Sequence, residues 1–184
     1  MTFPLKNTLI SLTLLLAACR SAPIQYHTLT PTQSPPSART NASILIEQVS
    51  VPPQVDRTQI VIREGDSGLA ILETQRWGAS LSEELRSALL DSLSGSSSER
   101  KLSLRVEVQR FDSMPGQYAL LDAKWYLRNV STDNKTTSLN CRTTVQKPTG
   151  AAIDELVIAH QNNIKRLAAA INQATDSGRC PRKI

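Results

Sequence analysis

Apolar positions along this chain repeat at two periods, and the change of period marks the elements. Leu102, Leu104, Val106 and Val108 alternate with Ser103, Arg105, Glu107 and Gln109, the period of two expected of a half-buried strand. Beyond a Met114-Pro115-Gly116 turn, Ala119, Leu121, Ala123, Trp125 and Leu127 alternate with Asp122, Lys124 and Arg128. After a break at Ser131-Thr132-Asp133-Asn134, the stretch from Thr136 to Val145 is rich in threonine and only weakly apolar. It predicts a third, more exposed strand of the same meander. Upstream, Ile44 to Val51 reads as a strand that Pro52-Pro53 stops. Gln59 to Arg63 is a short β-branched run, Gly65-Asp66-Ser67-Gly68 a turn, and Leu69 to Leu72 a brief strand.

The helical period appears twice. Trp77, Leu81, Leu85, Ala88, Leu89 and Leu93 recur at spacings of three and four, which predicts a helix from about Trp77 to Leu93. Ser80 and Glu83 are placed for a capping box, and Gly95-Ser96-Ser97-Ser98 ends the run. Gly150 opens a last helix with Ile153, Leu156, Val157, Ile164, Leu167, Ala168 and Ile171 facing inward. His160 flanks that stripe and reads as a solvated helix residue. Strands, helix, strands, helix is the order of a single α+β domain: a mainly antiparallel or mixed sheet with two helices packed on one face.

The N-terminus breaks both patterns. Lys6 precedes the apolar run Leu9 to Leu16, which is too short to span a bilayer as a mature helix, and Leu16-Ala17-Ala18-Cys19 follows. This is the layout of a bacterial lipobox. Residues 1–18 are then a lipoprotein signal peptide, and Cys19, lipidated on sulfur, becomes the acylated first residue. One acyl chain binds a membrane only marginally, at about 0.8 kcal/mol per methylene, whereas two or more hold durably. Residues 19–42 follow as a tether, with Pro23, Pro31, Pro35 and Pro36 among Ser, Thr and Gln. Within it, Ile24-Gln25-Tyr26-His27-Thr28-Leu29 alternates well enough to dock instead as an edge strand. Residues 43–184 form the body. Arg20 stands where an aspartate commonly retains a lipoprotein at the inner membrane, so the expected location is the outer membrane, facing the periplasm, with the inner membrane the lesser alternative.

Charge and cysteines sharpen this. The formal net charge of +5 is dispersed and aromatics make up 4%, which argues against a nucleic-acid partner and fits a mildly basic face near anionic head groups. Arg179, Arg182 and Lys183 form the one local basic cluster, at the C-terminus. Beyond Cys19 there remain Cys141 and Cys180, an even pair that suggests a disulfide in an oxidising compartment. Closing a loop of about 40 residues is worth roughly 4 kcal/mol in the chain-entropy picture.

Catalytic chemistry is thin. His27 lies in the tether and His160 on the last helix, and no His, Cys and carboxylates cluster at metal-site spacing. There is no G-x-S-x-G elbow, and Gly65-Asp66-Ser67-Gly68 carries no phosphate-loop lysine. The expectation is a protein that is not an enzyme, with no metal and no cofactor.

Several segments together resemble one family. Val55-Asp56-Arg57-Thr58-Gln59-Ile60-Val61-Ile62-Arg63 is similar to its "LDRPQIV.R" strand opening, and Arg76-Trp77-Gly78-Ala79-Ser80-Leu81 to its "RWAEPL" helix start. Arg110-Phe111-Asp112, Pro115-Gly116 and Leu121-Asp122-Ala123-Lys124-Trp125 resemble its "RFD..PG…L.A.W" hairpin, and Tyr26-His27-Thr28-Leu29-Thr30-Pro31 its "YYTLTP". With the lipobox, these segments cover nearly the whole chain in order. The family is the PqiC/YmbA-like lipoproteins, auxiliary components of ABC-type lipid transport systems. The chain departs from the pattern at Thr58, where the family has proline, and at Gly78, Ala79 and Ser80. Ser80 is able to cap the helix that the family's proline opens. The pair Cys141 and Cys180 is not part of the family pattern.

The resemblance implies a periplasm-facing lipoprotein that works, without catalysis, alongside an MCE-type lipid-transport assembly. The expected partners are the membrane, through the Cys19 acyl chains, an MCE-type periplasmic subunit, and further copies of the chain in a ring. The expected job is accessory docking for phospholipid transport between the inner and outer membranes. The alternative is a structural or assembly lipoprotein of the envelope with no transport role. Direct lipid binding between sheet and helices is a third reading, disfavoured because the apolar positions are needed for the core. Trp77 and Trp125 are expected as core anchors, and Asp56 with Arg57 as a turn-stabilising pair.

Overall fold

A computed structural model describes residues 22–32, 42–93, 101–129 and 138–182. Seven strands and two helices follow one another as β1 (Gln25–His27), β2 (Ser43–Ser50), β3 (Gln59–Glu64), β4 (Gly68–Trp77), α1 (Leu81–Leu93), β5 (Lys101–Met114), β6 (Tyr118–Asn129), β7 (Ser138–Pro148) and α2 (Ile153–Ser177). They make a single α+β domain in which the strands divide between two mixed sheets, ordered β2-β5-β6-β7 and β1-β4-β3.

In the larger sheet β5, β6 and β7 form the antiparallel meander, and β2 joins β5 in parallel. Pro115 and Gly116 build the β5–β6 turn. Gly116 has φ 75°, and the Gln117 N–H donates to the Met114 carbonyl at 3.0 Å. Proline at the second position and a glycine of positive φ at the third is the chemistry of a type II turn. The period-two apolar residues all face one way. Leu104, Val106, Leu121, Ala123 and Trp125 are buried, with Val106 opposite Trp125 and Leu104 opposite Leu127. Both helices cover this face, α1 over β2, and α2 over β6 and β7. Leu85 and Leu89 of α1 and Ile164, Leu167 and Ile171 of α2 close the core. At the far end of α2, Gly178 takes φ 65° and its N–H returns to the Ala174 carbonyl at 2.9 Å, an αL stop that β-carbon-bearing residues adopt only at a cost.

The smaller sheet is where the elements differ from the sequence pattern. β4 runs to Trp77 rather than Leu72, and α1 begins at Leu81 rather than near Trp77. The extension is made by partners remote in sequence. Gln75, Arg76 and Trp77 pair in parallel with Gln25, Tyr26 and His27, and the Trp77 N–H donates to the Thr58 carbonyl. The segment Glu73 to Arg76 is entirely polar, so no local period announces a strand there. Trp77 thus lies at a strand end and reaches the core from it, 3% exposed and edge-on to Phe111 with ring centroids 6.4 Å apart. Part of the stretch expected as tether is body: β1 is an edge strand, and Leu29 just beyond it is 1% exposed.

Candidate functional site

Three arrangements of polar side chains stand out against the apolar core. The first clasps the N-terminal segment. Glu84 sits on the inner stripe of α1, three residues after Leu81 and four before Ala88, and is buried. Its Oε2 accepts from the Thr28 hydroxyl at 2.8 Å and from the Leu29 N–H at 2.8 Å. The Gln161 side-chain amide donates to the Thr28 carbonyl at 3.0 Å, and the Gly78 N–H to the His27 carbonyl at 2.9 Å. His27 Nε2 lies 2.7 Å from the Gln75 side-chain oxygen, and His27 Nδ1 lies 3.3 Å from the Asp154 carboxylate. A β-carbon on Gly78 would come within 3.0 Å of Glu84 Oε1, so glycine there lets the strand end approach the carboxylate. A carboxylate on an apolar helical stripe is the signal by which Glu84 is found in the sequence; it is costly to bury unless given donors.

The second is the Ser113–His160 pair. Ser113 Oγ and His160 Nε2 are 2.9 Å apart, and the two residues are 2% and 0% exposed. Phe111 stacks on the imidazole at 3.9 Å. His160 is therefore not the solvated residue its flanking position indicated. It lies four residues after Leu156 and four before Ile164, within the stripe itself, and the β5 bulge at Val108–Arg110 aims Phe111 and Ser113 at it. Burial pushes its pKa down to about 3, with Asp112 opposing weakly, so the ring is neutral near pH 7. The pair is buried and packs against the core.

The third is the sheet face that the helices leave uncovered. Arg105, Lys124, Tyr126, Arg128 and Arg142 project there. Arg142 Nε donates to Asp122 Oδ1 at 2.8 Å, its second nitrogen to Oδ2, and the Thr144 hydroxyl to Oδ1 at 3.0 Å. The Arg142 hydrogen bond, against the opposing effect of burial and helped by Thr144 and the charges of Arg142 and Arg110, holds the Asp122 carboxyl below the usual range. At the other end Arg105 and Arg128 converge on Glu47, 3.7 and 3.3 Å away. They flank an open groove of 310 Å³ walled also by Tyr126, Ser138 and Asn140. Arg63 and Arg110 both pair with Asp112 at the β3–β5 junction.

Cys19 lies outside the described residues. Cys141, in β7, and Cys180, after α2, have Cα atoms 5.5 Å apart and are joined by a disulfide. Replacing both by serine is expected to cost about 2–4 kcal/mol, read as a lower urea midpoint that reductant no longer changes; an unaltered midpoint contradicts it. Trp125 is 0% exposed, its Nε1 donating to Thr143 Oγ1 at 3.0 Å, and so is a core anchor like Trp77. Asp56 and Arg57 do not form the expected turn pair. Asp56 instead accepts from the Ser82 N–H at 3.1 Å, one of the N–H groups that a helix start leaves without an intrahelical partner. Arg57 leaves its Nε without a partner. Ser80 makes half of the capping box, its N–H and hydroxyl both donating to Glu83. No group of three or more His, Cys, Asp or Glu placed to hold a metal occurs among the described residues.

Similarity to known proteins agrees with this architecture. A crystal structure of an uncharacterized protein superposes with a TM-score of 0.62 at 18% identity, covering 83% of this chain and 98% of the other. A Xanthomonas campestris protein of the DUF330 family superposes at 0.60 with 15% identity, covering 84% and 96%. At these identities the likeness speaks for the fold alone. Among curated proteins, none matches. The family model described as ABC-type transport auxiliary lipoprotein component matches residues 27–172, from the last residue of β1 to deep within α2. The chain belongs to the ABC-type transport auxiliary lipoprotein family.

Proposed function

We propose that this protein is an outer-membrane lipoprotein, anchored through acylated Cys19, that docks the periplasmic part of an MCE-linked ABC transport system carrying phospholipid between the two membranes. The observation that carries the reading is the family match over residues 27–172, and the Leu16-Ala17-Ala18-Cys19 motif supports the anchor. The body contributes a binding surface rather than a container. Most of its apolar side chains are packed into the core, and the open groove beside Glu47 carries Arg105 and Arg128 on its walls, charges that would have to give up water to acyl chains. The partner is an MCE-type subunit, met by the uncovered sheet face. Further copies of the chain assemble in a ring around the conduit mouth, shielding apolar cargo whose exposure to water is unfavourable.

The test is the phospholipid balance of the two membranes in a deletion strain, measured by quantitative lipid analysis of separated membranes. The expected result is a shift that the wild-type gene restores and a Cys19→Ala gene does not. A balance that stays normal contradicts the transport role.

A further inference from the structure

The clasp on the N-terminal segment sets how far the body stands from whatever holds Cys19. Only Arg20, Ser21, Ala22, Pro23 and Ile24 separate Cys19 from the first residue of β1. Fully extended, that stretch reaches about 20 Å. Were the body free up to β2, the reach would be about 80 Å. The clasp is made by groups that do not let go cheaply. Glu84 is buried and takes two donors from Thr28 and Leu29, and Leu29 lies in the core. Undocking the segment leaves a carboxylate buried without partners and an apolar pocket open.

The surface next to this short stretch carries exposed apolar side chains. Ile24 is 46% exposed and Tyr26 67%. Ile158, 54% exposed, lies on the helix face that also carries Asp154 and Gln161, both in contact with the N-terminal segment. Ile24 and Tyr26 lie where the chain enters the body, Ile158 lies on the helix that holds His27 and Thr28, and no described helix is long and apolar enough to cross a bilayer.

We propose that the docked segment Gln25–Thr30 turns the lipid anchor into a short leash, which seats the β1 edge of the body, with Ile24, Tyr26 and Ile158, on the lipid surface that holds Cys19. The inference rests on the acylation of Cys19. It orients the molecule: the β1 end faces the membrane, and the uncovered sheet face is left free for a partner. A tyrosine suits that position, since its ring is apolar and its hydroxyl stays wet.

The test uses the full-length acylated protein in vesicles of dibrominated phosphatidylcholine, whose bromine quenches tryptophan on contact. Native Trp77 and Trp125 are buried and give a constant background. Tyr26→Trp is expected to lose at least half of its added emission, whereas Tyr126→Trp, on the uncovered face, keeps nearly all of it. Inserting about twenty Gly/Ser residues between Ala22 and Pro23, which adds about 25 Å of average reach, is expected to abolish the quenching of Tyr26→Trp while the protein still floats with the vesicles. Protein that floats with Tyr26→Trp quenched no more than Tyr126→Trp overturns the leash and leaves the anchor standing. Quenching that survives the insertion shows that the body seeks the lipid without the leash, and also overturns it. Protein that does not float overturns the anchor and the leash together.

Discussion

Replacing Cys19 with alanine, behind an ordinary secretory signal, is expected to move the protein from the membrane fraction to the soluble periplasmic one. The reason is additive: each buried methylene contributes about 0.8 kcal/mol, so several acyl chains hold the body for far longer than one. The described body offers little to replace them. Its exposed large apolar side chains, among them Ile24, Tyr26, Leu45, Leu69 and Ile158, are each only partly exposed, too little for durable binding without the anchor. Fractionation reads the effect directly, and intact mass checks the cause: wild-type protein carries the mass of its acyl chains and the variant does not. Wild-type protein free of acyl mass, or a variant that stays on the membrane, contradicts the anchor. The fold itself is expected to survive, because residue 19 precedes every element of it.

Acid is expected to destabilise the body earlier than carboxylate titration alone would. His160 is held neutral, its pKa pushed from 6.5 to about 3 by burial. Unfolded, the ring binds a proton below pH 6.5; folded, it does not until about pH 3. The unfolded state therefore takes up the extra proton, and stability falls as pH drops through this window, by up to about 1.4 kcal/mol per unit. The contribution is complete above pH 6.5. Between pH 6.5 and 5, ordinary carboxylates remain ionised, and His27 beside Asp154 is common to wild type and a His160 variant, so the difference between their urea unfolding profiles isolates the buried ring. A loss of about 1–2 kcal/mol over that interval is expected. His160→Gln keeps a hydrogen-bonding partner for Ser113 but has nothing to titrate. It is expected to be less stable at pH 7, having lost the stack on Phe111, and to show a flatter profile than the wild type from pH 6.5 to 5. A wild-type profile as flat as the variant's contradicts this account of the buried ring.

What the sequence disclosed follows from where the controlling contacts lie. The Leu102–Val108 and Ala119–Leu127 alternations show plainly in the chain because one face of a sheet is buried by neighbours close in sequence. The α2 stripe shows for the same reason. The second sheet was not legible. Its β1–β4 pairing joins residues fifty positions apart, and the polar run Glu73 to Arg76 is held extended by partners remote in sequence, Gln25 to His27 on one side and Thr58 and Gln59 on the other. Chemistry alone misplaces the two polar residues on helical stripes. Polarity puts His160 in water, whereas its spacing puts it between Leu156 and Ile164. Glu84 shares its stripe with Leu81, Leu85 and Ala88, and a buried carboxylate there requires donors that lie far off in sequence. Asp56 reached past its neighbour Arg57 to the start of α1, a choice that depends on where the helix ends up. The proposed lipobox is the opposite case: such a motif is read by an enzyme rather than by the fold, so the sequence alone carries it.

The central claim is that this anchored body serves an ABC-type lipid-transport assembly. Affinity purification of the acylated protein from detergent-solubilised envelopes, with mass spectrometry of what accompanies it, tests that most directly. An MCE-domain subunit and its permease, recovered in fixed ratio with the wild type and lost with the Cys19→Ala protein, is the predicted result. Recovery of the protein with neither would contradict the account.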